Sequence, residues 1–383
     1  MAVKNIQVIH CLTGKPFELK IDRDSIVSMK QLRRASPGSP YIGPGLTDIQ
    51  VNGFGGVDFN STPLTVADAW HAVKDLLAKG VTRFFPTVIT NHPRKIISLL
   101  DQIHQACLSD PELERHIPGI HLEGPFISPV DGPRGAHNRR FVIAPDYSLF
   151  EKFQEAAGGR IKIITLSPEW DGSSAFIRKC VRKGVIVSIG HTQATPEQIR
   201  EAVASGATMS THLGNGAALT VPRHPNFIWE QLASDDLTAS IIADGHHLPP
   251  SFIKTVIRAK RNRIILVSDA TMFAGMKAGV YESHIGGTVE LQATGRLCMK
   301  NNPAVLAGAA LPLTAGIDFL INQQLATLPV AWSMASVRVN RIAGLPPATT
   351  ANPTRSDYII FSRKAGNIKV LKAFKSGKLA FPK

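Results

Sequence analysis

The stretch Val185–Asn215, VIVSIGHTQATPEQIREAVASGATMSTHLGN, decides how the rest of the chain is read. Its apolar start, Val185–Ile189, predicts a buried strand that delivers His191 just past its C-terminal end. Thr195, Pro196 and Gln198 then stand as N-cap, first-turn proline and capping-box partner, so a helix begins there. A second strand, Thr208–His212, ends on another histidine. Two successive βα units therefore present histidines at equivalent positions, about 4.8 Å apart if the strands are parallel neighbours. Two imidazoles so placed can share a metal ion, whereas either one alone reads more readily as a residue satisfying a local turn.

The same unit extends in both directions. Further candidate strands are Gly45–Val51, Val81–Val88, Gly119–Glu123, Ile161–Leu166, Ala239–Ala243 and Ile264–Ser268, which with the first two make eight. Amphipathic helix-length stretches, among them Val66–Lys79, Arg94–Leu108, Ser173–Lys183 and Phe252–Arg261, lie between most of them. Eight such units with right-handed crossovers predict a closed (β/α)8 barrel over residues 44–350. The flanks differ in texture: IQVIH, PFELKI and SIVSM in residues 1–43, and YIIF and IKVLKAF in residues 351–383, are short alternating segments. Both ends are expected to pair into one small β-sandwich domain, so the fold class is α/β, a TIM-type barrel with a β appendage.

Composition narrows the function. A chain of 383 residues, 44% of them hydrophobic, can bury a large core, and no apolar run is long enough to cross a bilayer, so no membrane partner is expected. The start, MAVKNIQVIH, lacks the basic-then-apolar order of a signal peptide, and the four cysteines (Cys11, Cys107, Cys180, Cys298) form no C-x-x-C pair; a cytoplasmic protein with reduced thiols is the expectation. The formal charge of +14 invites a nucleic-acid reading, but residues 1–40 hold +4 of it and residues 354–383 hold +7. Only +3 remains for the part that carries the histidines, so nucleic acid is not the expected partner.

In a parallel barrel the chemistry gathers where strands end. Asp48, Gln50 and Asn52 stand at the end of the first strand and Glu123 closes the third, in HLEGPF. The fifth and sixth give His191 and His212, the seventh runs into Asp244-Gly245-His246-His247, and the eighth into Asp269. Glu123, His191 and His212 offer one oxygen and two imidazole nitrogens, the donor set of a hydrolytic Zn²⁺ or Fe²⁺ with a position open for water. Asp269 would stand within reach of that water as general base, returning the proton to a leaving group. A mouth salt bridge for Glu123 and a helix cap for Asp269 are the alternatives these residues leave open.

With HLEGPF, IGHT, STHLGN, IADGHH, VSDAT and GLTDIQVNGFGGVDF in hand, the chain resembles the amidohydrolase superfamily, and within it the branch that deacetylates N-acetylglucosamine 6-phosphate. The resemblance implies that Glu123, His191 and His212 hold one divalent metal per chain, Zn²⁺ first and Fe²⁺ or another divalent ion next, and that Asp269 is the acid/base. It implies that His137 lies beside the acetyl carbonyl, and that Ala136, His137, Asn215, Gly216, Arg223, Asp244, Gly245, His246, His247, Leu306, Ala307 and Gly308 bind the sugar phosphate. It also implies a homodimer acting on a small amino-sugar substrate, with a related N-acyl or unphosphorylated substrate as the alternative. Three places depart from the pattern. Gln50 and Asn52 occupy the positions of a His-x-His pair, Gly214-Asn215-Gly216-Ala217 replaces an aromatic-Asn-Ala-Met run, and His224 and Asn226 stand in the PRHPN loop. The first removes two ligands of a second metal. Arg223 either meets the phosphate, or caps a helix or pairs with Glu230.

Overall fold

The computed structural model describes residues 3–283, 287–347 and 352–382. Eight parallel strands lie side by side in chain order: β1 (Leu46–Val51), β2 (Val81–Ile89), β3 (Ile120–Glu123), β4 (Ile161–Leu166), β5 (Ile186–Ile189), β6 (Met209–Ser210), β7 (Thr238–Ile241) and β8 (Ile264–Leu266). The last returns to the first through a parallel bridge between Val51 and Ala270, which closes the barrel. The strands are short apolar runs buried along almost their whole length, as expected when helices cover the outside and side chains fill the inside.

The helices form where the pattern places them. Val66–Ala78 starts on a Thr65 capping box with Asp68 and buries Ala69, Ala72, Val73, Leu76 and Leu77, the spacing of one apolar face. Pro196–Ala204 starts on Thr195 with Gln198 as its capping-box partner, and it turns Ile199 and Ala202 inward. That cap matters to the site because it ends the loop carrying His191 within four residues.

Inside the barrel, below the mouth, the packing is polar. His121 Nδ1 lies 3.0 Å from the carbonyl of Ile49, which can only accept, so the proton sits on Nδ1 and Nε2 accepts from Thr165 Oγ1 at 2.8 Å. Hydroxyl contacts continue from Thr165 to Thr211 at 2.7 Å and from Thr211 to Ser188 at 2.6 Å. Burial holds the His121 imidazole below its usual pKa, in keeping with a neutral ring in this chain of hydrogen bonds.

Both chain ends build the second body. Lys4–His10, Pro16–Asp22, Ser25–Gln31 and Tyr41–Pro44 join Tyr358–Lys364, Asn367–Lys375 and Lys378–Phe381 in one sheet that closes into a small barrel, its inward face packed over Val8, Leu19, Ile26, Ile42, Tyr358, Ile360 and Phe374. The domain boundary expected at 350/351 lies outside the described residues. Where this body meets the large barrel, Asp357 pairs with Arg83 of β2 at 2.9 Å and with Lys375 at 2.9 Å, all three largely buried. Trp332 donates to the carbonyl of Pro44 at 2.9 Å and stacks on Phe361 at 4.2 Å.

A four-stranded antiparallel sheet, Gly279–Ser283, Gly287–Leu291, Leu297–Met299 and Asn302–Leu306, is inserted between β8 and the helix Leu313–Asn322. Sequence reading assigned this segment to the barrel without recognising the sheet. Its last strand, NPAVL, is almost wholly exposed, so it lacks the alternation that marks a half-buried strand.

Candidate active site

The end of β3 and the loops that follow β5 and β6 bring Glu123, His191 and His212 together at the C-terminal mouth of the barrel, all buried. Glu123 Oε1 lies 3.3 Å from His191 Nε2 and 3.2 Å from His212 Nε2, and the two Nε2 atoms are 3.0 Å apart. One ligand atom from each falls within 4.8 Å of the others. The His191 ring is fixed from behind. His191 Nδ1 donates to the carbonyl of Pro133 at 2.9 Å, which leaves its Nε2 lone pair facing Glu123 and His212. A Cβ on Gly216 would come within 2.9 Å of that ring and one on Gly135 within 3.2 Å, so both glycines let the backbone pass close by. Burial alone would raise the Glu123 carboxyl; the two imidazoles beside it hold it well below the usual carboxylate range.

This donor set fits a divalent metal. One carboxylate oxygen and two imidazole nitrogens converge with no other cation among them, and acceptor atoms at such distances repel unless a proton or a cation lies between. The chain therefore carries a Glu/His/His cluster that could hold a metal ion.

His191, His212 and Asp269 share a backbone feature: φ is +49° for His191, +30° for His212 and +51° for Asp269, the left-handed region that non-glycine residues rarely adopt. At each of these three strand ends the chain turns sharply, and the side chain is thrown across the mouth instead of along the loop. The first strand steadies two of the carboxylates. Gln50 Nε2 donates to Glu123 Oε1 at 2.9 Å and Asn52 Nδ2 donates to Asp269 Oδ1 at 2.8 Å. Gln50 and Asn52 were read only as missing ligands; a carboxamide has donors to spare where an imidazole would compete for the metal. Burial, and then the Glu123 carboxylate, push the Asp269 pKa up to about 6.

His137 packs its ring edge-on against His191, 4.4 Å between centroids, and its Nδ1 is buried without a partner. Burial and the neighbouring His191 push its pKa down to about 3, so it is a neutral imidazole. On the opposite flank, Asp244 Oδ2 binds His247 Nδ1 at 2.8 Å, and its Oδ1 accepts from the amides of His246 and His247 at 2.8 and 3.0 Å. Burial opposes ionisation of Asp244, and the His247 contact outweighs it. Asn215 folds back on the carbonyl of His212 at 3.2 Å. Gly308 passes so close to Thr271 that a Cβ would meet it at 2.7 Å, which brings Leu306–Gly308 beside the loop of Asp269.

Other expected residues lie apart. His246 turns its Nε2 toward the carbonyl of Thr294 in the inserted sheet, 3.3 Å away. Ala136 is exposed on a cavity wall. Arg223 is exposed, and Glu230, its alternative partner, binds Arg200 at 3.0 Å instead. One organiser escaped sequence reading altogether. Glu169 accepts from Ser128 at 2.7 Å, Ser167 at 2.8 Å and the amide of Gln193 at 3.0 Å, tying together the loops after β3, β4 and β5. Three hydroxyl and amide donors 2 to 41 residues away leave no local signature.

The amidohydrolase family matches residues 41–293. An N-acetylglucosamine-6-phosphate deacetylase of Bacillus subtilis (strain 168) is 34% identical over 306 residues, 79% of this chain and 75% of that protein. The enzyme of the same name from Homo sapiens is 30% identical over 82% of this chain and 76% of its own length. Among solved structures, a mutant N-acetyl-D-glucosamine-6-phosphate deacetylase from Mycobacterium smegmatis in complex with N-acetyl-D-glucosamine-6-phosphate superposes with a TM-score of 0.85 at 26% identity, over 99% of both chains. A mouth furnished in this way, on a chain this similar throughout, belongs to the N-acetylglucosamine-6-phosphate deacetylases of the amidohydrolase family.

Proposed function

We propose that this chain hydrolyses the acetamide of N-acetylglucosamine 6-phosphate, releasing acetate and the free amino-sugar phosphate. The observation that carries the reading is the convergence of Glu123, His191 and His212 beside Asp269 at one barrel mouth. In this proposal the three residues hold one divalent ion, Zn²⁺ first and Fe²⁺ next. Such an ion supplies Lewis acidity that polarises an amide carbonyl and brings the pKa of water toward neutrality. Asn52 fixes one oxygen of Asp269, so the other takes the proton of the attacking water and returns it to the amide nitrogen as the C–N bond breaks. His137, neutral and with a buried ring nitrogen unsatisfied, is suited to hydrogen-bond the acyl carbonyl. The test is acetate release from N-acetylglucosamine 6-phosphate by the purified protein, with N-acetylglucosamine alongside.

Gln50 and Asn52 are committed to Glu123 and Asp269 and leave a second ion without the first-strand ligands it needs. Elemental analysis after dialysis is therefore expected to find one equivalent of divalent metal per chain. Two retained equivalents would contradict the mononuclear site.

Arg223 is our candidate for the phosphate, because a planar, always-charged fork can bind two phosphate oxygens at once. Its exposure in a single chain, together with Leu219 at full exposure and Trp229 at 52%, supports a homodimer in which this loop meets a second copy. Arg223→Ala is expected to lower kcat/KM on the 6-phosphorylated sugar by about 2–4 kcal/mol, roughly 30- to 1000-fold, and to leave the unphosphorylated sugar nearly unchanged. Equal losses on both would make Arg223 structural.

A further inference from the structure

His137 touches two things. Its ring packs on His191, and the same residue lines a cavity of about 790 Å³ walled by the loops that follow β1, β2 and β3. The charged residues on that wall are all cations: Lys95, Arg134 and Arg139. Arg134 is held from outside by Asp131 and donates to the carbonyl of His137. Lys95 leans on the hydroxyl of Thr62 at 2.5 Å, and neither it nor Arg139 makes an ion pair among the described residues. Two buried polar atoms of the wall residues, Nε of Arg134 and Nδ1 of His137, lack hydrogen-bond partners. A roomy chamber with positive charge and no carboxylate on its wall suits an anionic group.

Its direction from the metal ligands says which part of a substrate would enter. The residues proposed to hold the sugar and its phosphate, Asn215, Arg223 and Asp244–His247, follow β6 and β7. An amide is planar, and in the trans form its nitrogen substituent and its acyl substituent leave in opposite directions. With the carbonyl at Glu123, His191 and His212 and the sugar toward β6 and β7, the acyl chain heads for β1 to β3, past His137. The cavity that His137 lines lies on that side.

The geometry points to a wider substrate class: amino-sugar phosphates whose N-acyl chain ends in a carboxylate, as an N-succinyl group does, with that carboxylate meeting Lys95 and Arg139. The inference rests on the proposed deacetylase reading for the placement of the sugar. The chemistry is unchanged: water oxygen bonds to the acyl carbon, the C–N bond breaks, the nitrogen takes the proton, and the products are a dicarboxylate and the free amine.

The experiment compares N-acetyl-, N-butyryl- and N-succinylglucosamine 6-phosphate with the full-length, metal-loaded protein and with Lys95→Ala/Arg139→Ala. Wild type is expected to hydrolyse the N-succinyl compound with a kcat/KM at least about tenfold above that of the neutral N-butyryl compound, the scale of a charge-assisted contact. The double variant is expected to erase that preference while N-acetyl turnover stays as in wild type. An N-succinyl rate no higher than the N-butyryl rate would overturn the inference, as would a variant that slows the acetyl and succinyl compounds by the same factor. Turnover of the succinyl compound without the acetyl one would keep this inference and refute the proposed deacetylase activity. Turnover of none of the three would refute both.

Discussion

Asp269→Asn is expected to lower kcat on N-acetylglucosamine 6-phosphate by about 10²–10⁴-fold, the usual contribution of a positioned general base and acid, with metal content unchanged. The substitution is close to isosteric and keeps the local structure. Asparagine tolerates the left-handed backbone found at this position better than most residues, and its carbonyl can still accept from Asn52. The three ligand side chains are on other strands. What is lost is a group that takes a proton from water and yields it to nitrogen, required once each way per turnover. Steady-state kinetics beside elemental analysis makes the check. Near-normal turnover would show that another group is the base, and loss of metal together with activity would show that Asp269 belongs to the ligand set.

Asp357→Asn is expected to destabilise the folded chain by about 3–5 kcal/mol, because it leaves two buried cations, Arg83 and Lys375, without their shared counter-charge. Burial works to raise the Asp357 carboxyl; Lys375 and Arg83 reverse this and hold it below 3.8. A depressed folded-state pKa fixes the sign. The carboxylate contributes its full stabilisation above 3.8, and the contribution fades as pH falls through the lower folded-state value. Denaturant titrations of wild type and variant should thus differ most near neutrality and converge in strong acid. A variant as stable as wild type at pH 7 would show that the junction is carried by Trp332 and its apolar surroundings instead.

Much of the architecture was legible because the signals are local. Thr195, Pro196 and Gln198 announce a helix within four residues, and apolar runs ending in Glu123, His191 and His212 announce strands whose ends carry chemistry. The unread parts depend on residues far apart in the chain. Gln50 reaches Glu123 across 73 residues and Asn52 reaches Asp269 across 217, so a sequence in which both look like ligand losses hides two orienting donors. Glu169 is of the same kind. The last strand of the inserted sheet went unread for another reason: a strand that stays exposed has no buried face to impose a period on its side chains.

The closure of the small β body by strands from both ends bears on how the protein is made. Ser25 is paired with Lys378, and Leu379 donates to the carbonyl of Asp24, so this seam joins positions roughly 350 residues apart, a contact order that slows folding. The three strands within Lys4–Gln31 pair with one another locally, whereas the outer edge of Ser25–Gln31 is covered only by a strand from the far side of the barrel sequence. Until that seam forms the outer edge is a place for another chain to pair, and Lys4 and Lys30, exposed on the two outer strands of the three, are placed to discourage it.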